Sequence, residues 1–367
     1  QEEMPVTEEI AVAARKKSDK ALFIIGRTAG EDKDYADEEG SYRLTAQELE
    51  NLHVVTEQFD QVAVLLNVSN IIDMSWVSDP VYQDHIRSIF YIWQGGIEGS
   101  HAVADLLSGA VSPSGKLTDT IADDLRDYPV AENFGDEKRN FYAEDIYVGY
   151  RYFETFCPEK VKYEFGFGLS YTEFVTEVRK AHSIAGAKGN DTICITAAVK
   201  NTGAYRGKEV VQVYVEAPQG ALGKPKRELV AFAKTQELEP GETQELTLSV
   251  PMARLASYDD SGVTGHKSCY VLEAGDYIFH VGNSVRQTEV ADVDGNGAYM
   301  VKALRVVEKL SEALAPTQQF SRIRPGKKNA DGSYPVEKEA VPQQTIDLAE
   351  RITENLPKEI PYTGDRK

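Results

Sequence analysis

The chain has 367 residues, is 41% hydrophobic and 27% charged, and carries a formal net charge of −19 with a pI near 4.8. This length suggests two or three domains of about 100–200 residues, and the composition allows a sizeable core. The acidic balance argues against a nucleic-acid partner, because phosphates demand a basic surface. No apolar stretch approaches the ~20 residues that cross a bilayer, so no membrane partner is expected.

The cysteines and the amino-terminal residues indicate in which cellular compartment the protein is expected. Cys157, Cys194 and Cys269 are far apart and odd in number, which does not suggest a disulfide framework. They favour a reducing compartment, so we expect a cytoplasmic protein. The acidic start Gln1–Pro5 lacks the basic and then apolar run of a signal peptide. Because the chain does not begin with methionine, we expect that upstream residues have been removed.

The first third of the chain alternates helical patterns with short apolar runs. Thr45 with Glu48 three residues later suggests a capping box, and Gly109 suits a helix C-cap. Ile10, Val12, Ala13 and Ala14 are available for one face of the first helix. The predicted helices are Thr7–Ser18, a stretch opening at Thr45 and Gly99–Leu107, and the predicted buried strands are Lys20–Ile25, Gln61–Asn67 and Ile89–Trp93.

Apolar strands that alternate with helices indicate a mostly parallel α/β layer covered on both faces. Ligands of such sheets bind outside the carboxyl ends of the strands. The loops that follow Ile25, Asn67 and Trp93 are therefore the first places to look for chemistry.

The remainder of the chain changes character twice. Tyr142–Phe174 is dense in aromatic residues and glycine and predicts a connecting segment packed through its rings. After it, short alternating runs separated by turn residues predict a β-sandwich as far as Asn283. Ala298–Leu314 predicts one helix, and the polar, proline-rich remainder predicts an extended connector. The predicted sandwich strands are Thr192–Val199, Val210–Val215, Thr243–Val250 and Gly275–Val281.

Four motifs occur in a characteristic order. They are Gln94–Gly99, Ser112–Thr120, Tyr142–Phe153 and Tyr163–Phe174. Together they resemble the Gly-Gln-Glu-Gly, Asn-Pro-Ser-Gly-Lys-Leu, Tyr-x-Glu-x-Ile-Tyr-Val-Gly-Tyr-Arg-Tyr and Phe-Gly-Tyr-Gly-Leu-Ser-Tyr-Thr motifs of glycoside hydrolase family 3.

The match departs from the family pattern at two positions. Ile97 stands where the family has glutamine, and Thr118 stands where it has proline. These departures bear on packing and loop detail more than on the resemblance, which extends over about residues 7–283.

The resemblance implies the domain organisation. It indicates an α/β sandwich domain with a mostly parallel sheet, then an all-β fibronectin type III-like sandwich and an extended C-terminal connector. The expected boundaries are 1–135 for the α/β domain, truncated at its start, 136–173 for the aromatic segment, 174–289 for the sandwich and 290–367 for the connector. The family's (β/α)8 barrel, which carries the nucleophilic aspartate, is absent, so we expect a permuted order in which this connector leads to the barrel.

The resemblance also implies one catalytic residue. A retaining glycosidase needs two carboxyl groups about 5–5.5 Å apart, one as nucleophile and one as acid/base. The loop Gly26–Asp34 resembles the family's Ser-Gly-Glu-Gly-x-Asp loop, whose glutamate is the acid/base and corresponds to Glu31. Gly30 before it allows a tight turn. Without the resemblance, Glu31 would count as one of several solvated carboxylates, and Asp32 is the nearest alternative.

Other candidates have simpler structural interpretations. Ser78–Pro80 is similar to the family's Ser-Asp-Trp nucleophile motif but follows no barrel strand, so we interpret it as a turn. Glu98 suits a helix N-terminus, and Arg151 among aromatic residues suits a stacked or paired structural role. Trp76 and Trp93 are expected in the core more than as sugar platforms.

No cofactor or metal is expected. The six histidines show no metal-ligand spacing. Asp292–Gly297 is similar to a calcium loop but lacks the glutamate that would close it, so a turn is the better interpretation.

The resulting hypothesis is one part of a retaining exo-β-glycosidase. The resemblance favours a β-glucosidase that acts on a small oligosaccharide or β-glucoside, with its nucleophile on a barrel in the same parent protein or another chain. A β-xylosidase or arabinosidase is the alternative within the family, and a non-catalytic carbohydrate-binding or scaffold protein is the alternative outside it. The family's N-acetylglucosaminidases commonly use a different acid/base residue, which lies on the barrel, so a catalytic role for Glu31 disfavours them. Alone, this chain should be inactive. Whether the protein forms a homo-oligomer stays an open question at this point.

Overall fold

The computed structural model describes residues 3–27, 35–131, 133–136, 138–310, 315–330 and 332–343. Within these ranges no helix has the length and apolar character to cross a membrane. The helices are α1 (Glu8–Arg15), α2 (Ala46–Gln58), α3 (Pro80–Gln83), α4 (Gly99–Ser108) and α5 (Tyr150–Phe156).

A parallel three-stranded sheet forms the centre of the first part of the chain. Its strands lie in the order β1 (Ala21–Gly26), β2 (Val62–Asn67) and β3 (Ile86–Tyr91). Ile25 pairs with Leu66, which pairs with Tyr91. Apolar side chains of one sheet face pack on Leu52 of α2 in a single buried cluster. The predicted α/β layer is confirmed.

The ends of two helices follow the predicted capping chemistry. The Thr45 hydroxyl accepts from the Glu48 N–H at 3.0 Å, and the Glu48 carboxylate accepts from the Thr45 N–H at 2.8 Å. These two bonds satisfy donors that the first turn of α2 cannot satisfy itself. Gly109 ends α4 with φ of 77°, a left-handed conformation that suits glycine.

The expectation that both faces of the sheet are covered holds at β2, where the successive residues Leu65 and Leu66 are both buried, but for the described residues it is wrong at β1. Leu22 and Ile24 are each 58% exposed, whereas Ile25 is fully buried. Successive strand residues point to opposite faces, so the described chain covers only one side of β1. Ile10 is also exposed, and Ala11 is the buried residue of α1.

A β-sandwich follows the α/β part. Its strands are β6 (Phe174–Ile184), β7 (Thr192–Asn201), β8 (Val210–Glu216), β9 (Glu228–Lys234), β10 (Thr243–Pro251), β13 (Gly275–Gly282), β14 (Thr288–Ala291) and β15 (Tyr299–Val301). One sheet has the order β10-β7-β6, and the other has the order β14-β13-β8-β9 with β15 on β13. Val213, Phe279 and Ile195 lie in the buried cluster between the sheets.

Five shorter strands complete the parts described so far. β4 (Ile121–Ala122) pairs with β5 (Val161–Tyr163). β11 (Ser257–Asp259), β12 (Cys269–Leu272) and β16 (Arg305–Lys309) form a small antiparallel sheet.

The helix predicted over Ala298–Leu314 is wrong. Tyr299 pairs with Tyr277, and β16 pairs with β12, so the segment forms two strands as far as Lys309, while residues 311–314 lie outside the described part. Cross-strand pairing overrides the local helical pattern here. The predicted domain boundaries stay predictions, although strand pairing continues beyond residue 289.

The connector contains one hairpin, β17 (Ser321–Pro325) and β18 (Val336–Ala340). Arg322 holds it in place. Its guanidinium lies 2.6 Å from Asp260, 2.9 Å from Glu339 and 3.3 Å from Asp145. One side chain therefore joins the hairpin, a loop of the sandwich and the aromatic segment.

Two carboxylates of the sandwich lie beside basic side chains. Lys224 Nζ lies 2.6 Å from Glu273, and both side chains are almost fully buried. Burial lowers the pKa of Lys224 and the carboxylate opposes that effect. Elsewhere, the contacts of the Glu216 carboxylate with His280, and to a smaller extent with Arg227, lower its pKa to about 2, although burial acts in the opposite direction.

Candidate active site

The carboxyl ends of the three parallel strands lie side by side. The ladder continues one residue beyond β1, where the Arg27 N–H donates to the Asn67 carbonyl at 3.1 Å. It also continues beyond β3, where the Ile92 N–H donates to the Leu66 carbonyl at 3.1 Å. The three loops that follow the strands therefore leave from the same level of the sheet, which is the usual position of a ligand site in α/β folds.

Arg27 fixes the point where the first of these loops begins. Its Nη1 lies 2.6 Å and its Nη2 2.9 Å from the two carboxylate oxygens of Glu48. Its other donors bond the carbonyls of Ser41 at 3.0 Å, Gly26 at 2.9 Å and Arg43 at 3.1 Å. All five guanidinium N–H groups thus have acceptors.

Glu48 has two roles at once. Its side chain is 4% exposed and that of Arg27 is 5% exposed, so the ion pair is buried. The same carboxylate closes the capping box with Thr45. The bidentate geometry aligns the start of α2 with the end of β1.

Tyr35 holds the other end of the first loop. Its hydroxyl lies 3.0 Å from the Ser69 hydroxyl, in the loop after β2. The next residue, Ala36, donates its N–H to Ser41 Oγ at 2.9 Å. Residues on both sides of the first loop therefore contact described parts of the α/β layer.

The predicted acid/base lies between these two anchors. Glu31, with Gly30 and the alternative Asp32, falls in residues 28–34, outside the described residues. The assignment of Glu31 stays a prediction.

The two tryptophans of the chain have different surroundings. Trp76 is buried, and its indole N–H donates to the Asp73 carbonyl at 3.0 Å, which confirms a core role. Trp93 lies just beyond β3, is partly exposed and adopts a φ of 53°. Its ring lies 4.8 Å from that of Tyr91, centroid to centroid, and tilts by 39°.

The remaining candidates have the structural roles expected for them. Asp79 accepts from the Val81 N–H at 2.9 Å and caps α3. Glu98 is exposed at the start of α4, where its carboxylate lies 2.6 Å from His101 Nδ1. Arg151 lies in α5. Burial raises the pKa of Glu228, and the charge of Arg151 acts in the opposite direction, as a paired arginine would.

Two cavities lie away from the strand ends. One of about 430 Å³ is lined by β9, β10 and Arg254, and one of about 470 Å³ lies between Ser112 and Lys234. In the described ranges, no three histidine, cysteine or acidic side chains gather as a metal site would require.

The family model described as the glycosyl hydrolase family 3 C-terminal domain matches residues 5–171, and that of a fibronectin type III-like domain matches residues 209–285. The chain belongs to glycoside hydrolase family 3. Both matches agree with the predicted order of an α/β domain and a β-sandwich.

Three family 3 proteins illustrate the similarity. A β-glucosidase of Ruminococcus albus is 46% identical over 367 residues, which is 100% of this chain and 36% of that protein. An exo-α-(1→6)-L-arabinopyranosidase of Bifidobacterium longum is 32% identical over 80% of this chain and 37% of that protein. The crystal structure of a β-glucosidase from Paenibacillus barengoltzii superposes with a TM-score of 0.96 at 61% identity, over 100% of this chain and 40% of that one. This chain thus spans well under half of each of these relatives.

Sequence reasoning missed the two anchors of the first loop. It identified Glu48 only as a capping residue, and it gave no role to Arg27 or Tyr35. No local pattern links Arg27 to Glu48, because 21 positions separate them. A usable signal is an arginine directly after a buried strand, because so costly a burial demands a carboxylate partner.

Proposed function

We propose that this chain supplies the acid/base carboxylate of a retaining exo-β-glucosidase. The observation that carries the proposal is the loop after β1, which begins at a fully bonded Arg27 and ends at Tyr35, bonded to Ser69. This loop holds Glu31 in a family 3 chain. Family relatives named β-glucosidase support the substrate.

The proposed chemistry has two displacements. Glu31 donates its proton to the glycosidic oxygen while a nucleophile attacks the anomeric carbon, which releases the leaving group and leaves a covalent glycosyl intermediate. The ionised Glu31 then takes a proton from water, which attacks and frees the sugar. The described residues on either side of this loop, Arg27 and Tyr35, are held by their bonds to Glu48 and Ser69, and this positioning supports the proposal.

The nucleophile is proposed to lie on a (β/α)8 barrel of the same parent protein or of another chain. A retaining mechanism with an acid and no nucleophile has no first step. This chain alone should therefore hydrolyse no glucoside.

The test uses the full-length protein and Glu31→Gln, Glu31→Gly and the control Glu38→Gln. Glu38 is an exposed carboxylate just beyond the same loop. We expect kcat/KM for an alkyl β-glucoside to fall by a factor of about 10²–10⁴ in the Glu31 variants and to stay unchanged in the control. Aryl glucosides with good leaving groups should suffer less in the first step, and azide should restore Glu31→Gly by forming β-glucosyl azide.

Unchanged activity of Glu31→Gly, with no response to azide, would show that Glu31 is not the acid/base. The same variants of Asp32 would then test the alternative carboxylate. A full-length protein that binds sugars but hydrolyses none of them would instead support a carbohydrate-binding or scaffold role.

A second sugar specificity is favoured by one observation. The arabinopyranosidase of Bifidobacterium longum matches 80% of this chain. Aryl β-glucoside, β-xyloside and α-L-arabinoside, compared by kcat/KM, decide between the two. A higher value for either pentoside would replace glucose as the proposed substrate.

A further inference from the structure

We propose that the cavity of about 470 Å³ beside Lys208 and Lys234 binds a phosphoryl group, either as inorganic phosphate or as part of a phosphorylated sugar. The cavity lies where the sandwich meets the Ser112–Thr120 motif, because Lys234 Nζ donates to the Ser114 carbonyl at 2.9 Å. It uses none of the residues at the ends of the parallel strands, so the site is separate from the proposed hydrolysis.

Two lysines reach the cavity from neighbouring strands. Lys234 pairs with Val210 in the ladder between β8 and β9. The ladder continues one residue further, where the Thr235 N–H donates to the Glu209 carbonyl at 2.9 Å. Because side chains alternate between the two faces of a sheet, Lys208 lies on the same face as Val210 and Lys234. The two ammonium groups are therefore carried by diagonal neighbours on one face of the ladder.

Two carboxylates near the cavity are each engaged by another cation. Glu209 lies 2.9 Å from Lys116 Nζ, and its side chain is almost fully buried. Glu237, which lines the cavity, lies 3.6 Å from the Arg206 guanidinium. Lys116 and Arg206 thus balance the charges of these two carboxylates.

The two lysines of the cavity keep unbalanced charges. Within the described residues, neither Lys208 nor Lys234 forms an ion pair, although the chain has 59 acidic residues against 40 lysines and arginines. The acceptor that holds Lys234, the Ser114 carbonyl, is neutral. Burial lowers the pKa of Lys234, and the charges of Lys208 and Lys116 lower it further. The charge of Glu209 acts in the opposite direction. An anion between the two ammonium groups would relieve their repulsion.

The donors and the size of the cavity favour a phosphoryl group. A lysine ammonium carries three donors and binds phosphate as a point charge, and two ammonium groups match the charge of a phosphate dianion. Ser114 also lines the cavity, and within the described residues its hydroxyl has no hydrogen-bond partner, so it can donate to a further oxygen. The volume lies in the range of small-molecule sites, which leaves room for a sugar attached to the phosphate.

The test measures the binding of inorganic phosphate and of glucose 6-phosphate to the full-length protein by titration calorimetry at low ionic strength. Lys208→Met is the main variant, because the Lys208 side chain makes no hydrogen bond or ion pair within the described residues, so folding should not depend on it. We expect the dissociation constant for phosphate to rise about tenfold or more in Lys208→Met and in Lys234→Met, and to stay near that of the wild type in Lys234→Arg. The matched control is Lys180→Met, which removes an exposed lysine of β6 and should leave binding unchanged.

A comparison of the two ligands identifies the source of the phosphoryl group. A lower dissociation constant for glucose 6-phosphate indicates a phosphorylated sugar, whereas equal constants indicate free phosphate. The site is refuted if the wild type binds neither ligand saturably, or if Lys208→Met binds both as tightly as the wild type. An equal loss of affinity in Lys180→Met and Lys208→Met would also overturn it, because that result indicates a non-specific attraction. Hydrolysis of glucosides should be unchanged in Lys208→Met, so the outcome does not depend on the role of Glu31.

Discussion

Replacing Glu48 by glutamine tests the anchor at the start of the loop that follows β1. The change removes the only carboxylate that contacts Arg27 within the described residues and keeps the shape of the side chain. Arg27 stays charged and buried, and two of its donors face a neutral amide. Removing one partner of a buried ion pair costs about 3–5 kcal/mol. Because the amide oxygen still accepts one bond, we expect the lower end, about 3 kcal/mol.

This loss is large against the 5–15 kcal/mol that typically stabilises a folded domain. Urea unfolding of the chain, followed by the fluorescence of Trp76 in the same core, measures it. With a slope of about 1–3 kcal/mol per molar urea, the midpoint should fall by about 1 M or more.

The matched control is Asp37→Asn, which breaks the exposed ion pair between Arg43 and Asp37, whose side chains are 46% and 36% exposed. Such a pair contributes less than about 1 kcal/mol. The double variant Arg27→Met with Glu48→Leu should recover part of the stability, because apolar residues can replace a buried pair. If Glu48→Gln costs no more than Asp37→Asn, the anchor is not energetically significant and the reasoning fails.

Three further changes test the packing and charges of the sandwich and its neighbours. Lys224→Met should destabilise the chain by about 3–5 kcal/mol in urea unfolding, because it leaves the Glu273 carboxylate buried without its cation, and a smaller loss would show that water reaches it. Gly168→Ala should cost about 1–3 kcal/mol, since a Cβ there would lie 2.2 Å from a backbone oxygen, whereas Gly96→Ala, with nothing within 4 Å, should be neutral in the same assay. The folded pKa of Glu216, about 2, lies below its ordinary value of 4.5, so its stabilisation of up to about 3 kcal/mol is present above pH 4.5 and lost towards pH 2. Thermal midpoints of Glu216→Gln and wild type should therefore differ at pH 6 and converge at pH 2, and parallel curves would contradict the assignment.

Local chemistry explains which parts of the fold could be predicted. The capping box of α2 and the glycine that ends α4 depend on neighbouring residues, and both are confirmed. The three apolar runs were identified as strands for the same reason, although β3 begins at Ile86 and ends before Trp93. The predicted sandwich strands coincide with β7, β8, β10 and β13 to within two residues.

Long-range pairing explains what could not be predicted. β9 and β6 mix exposed and half-buried side chains, so their sequences carry a weak alternation. The segment after Ala298 has a helical composition but pairs with β13 and β12. In the candidate site, the contact between Arg27 and Glu48 could not be predicted, because the two residues are 21 positions apart and no local pattern links them. The orientation of Trp93 depends on a backbone angle that composition does not encode.

The Arg322 contacts change how the connector should be regarded. A flexible polar tether lets whatever it carries wander through a wide volume, so that two joined parts meet only at a low effective concentration. Here one guanidinium pins the hairpin to Asp145 and Asp260, on segments far away in sequence. The hairpin is held further by the Ile323 N–H, which donates to the Ala143 carbonyl at 2.8 Å, and by the Tyr334 N–H, which donates to the Thr155 carbonyl at 3.1 Å. The described part of the connector is therefore fixed to the rest of the chain at several points, so that loss of Arg322 alone would weaken this attachment without turning the connector into a free tether.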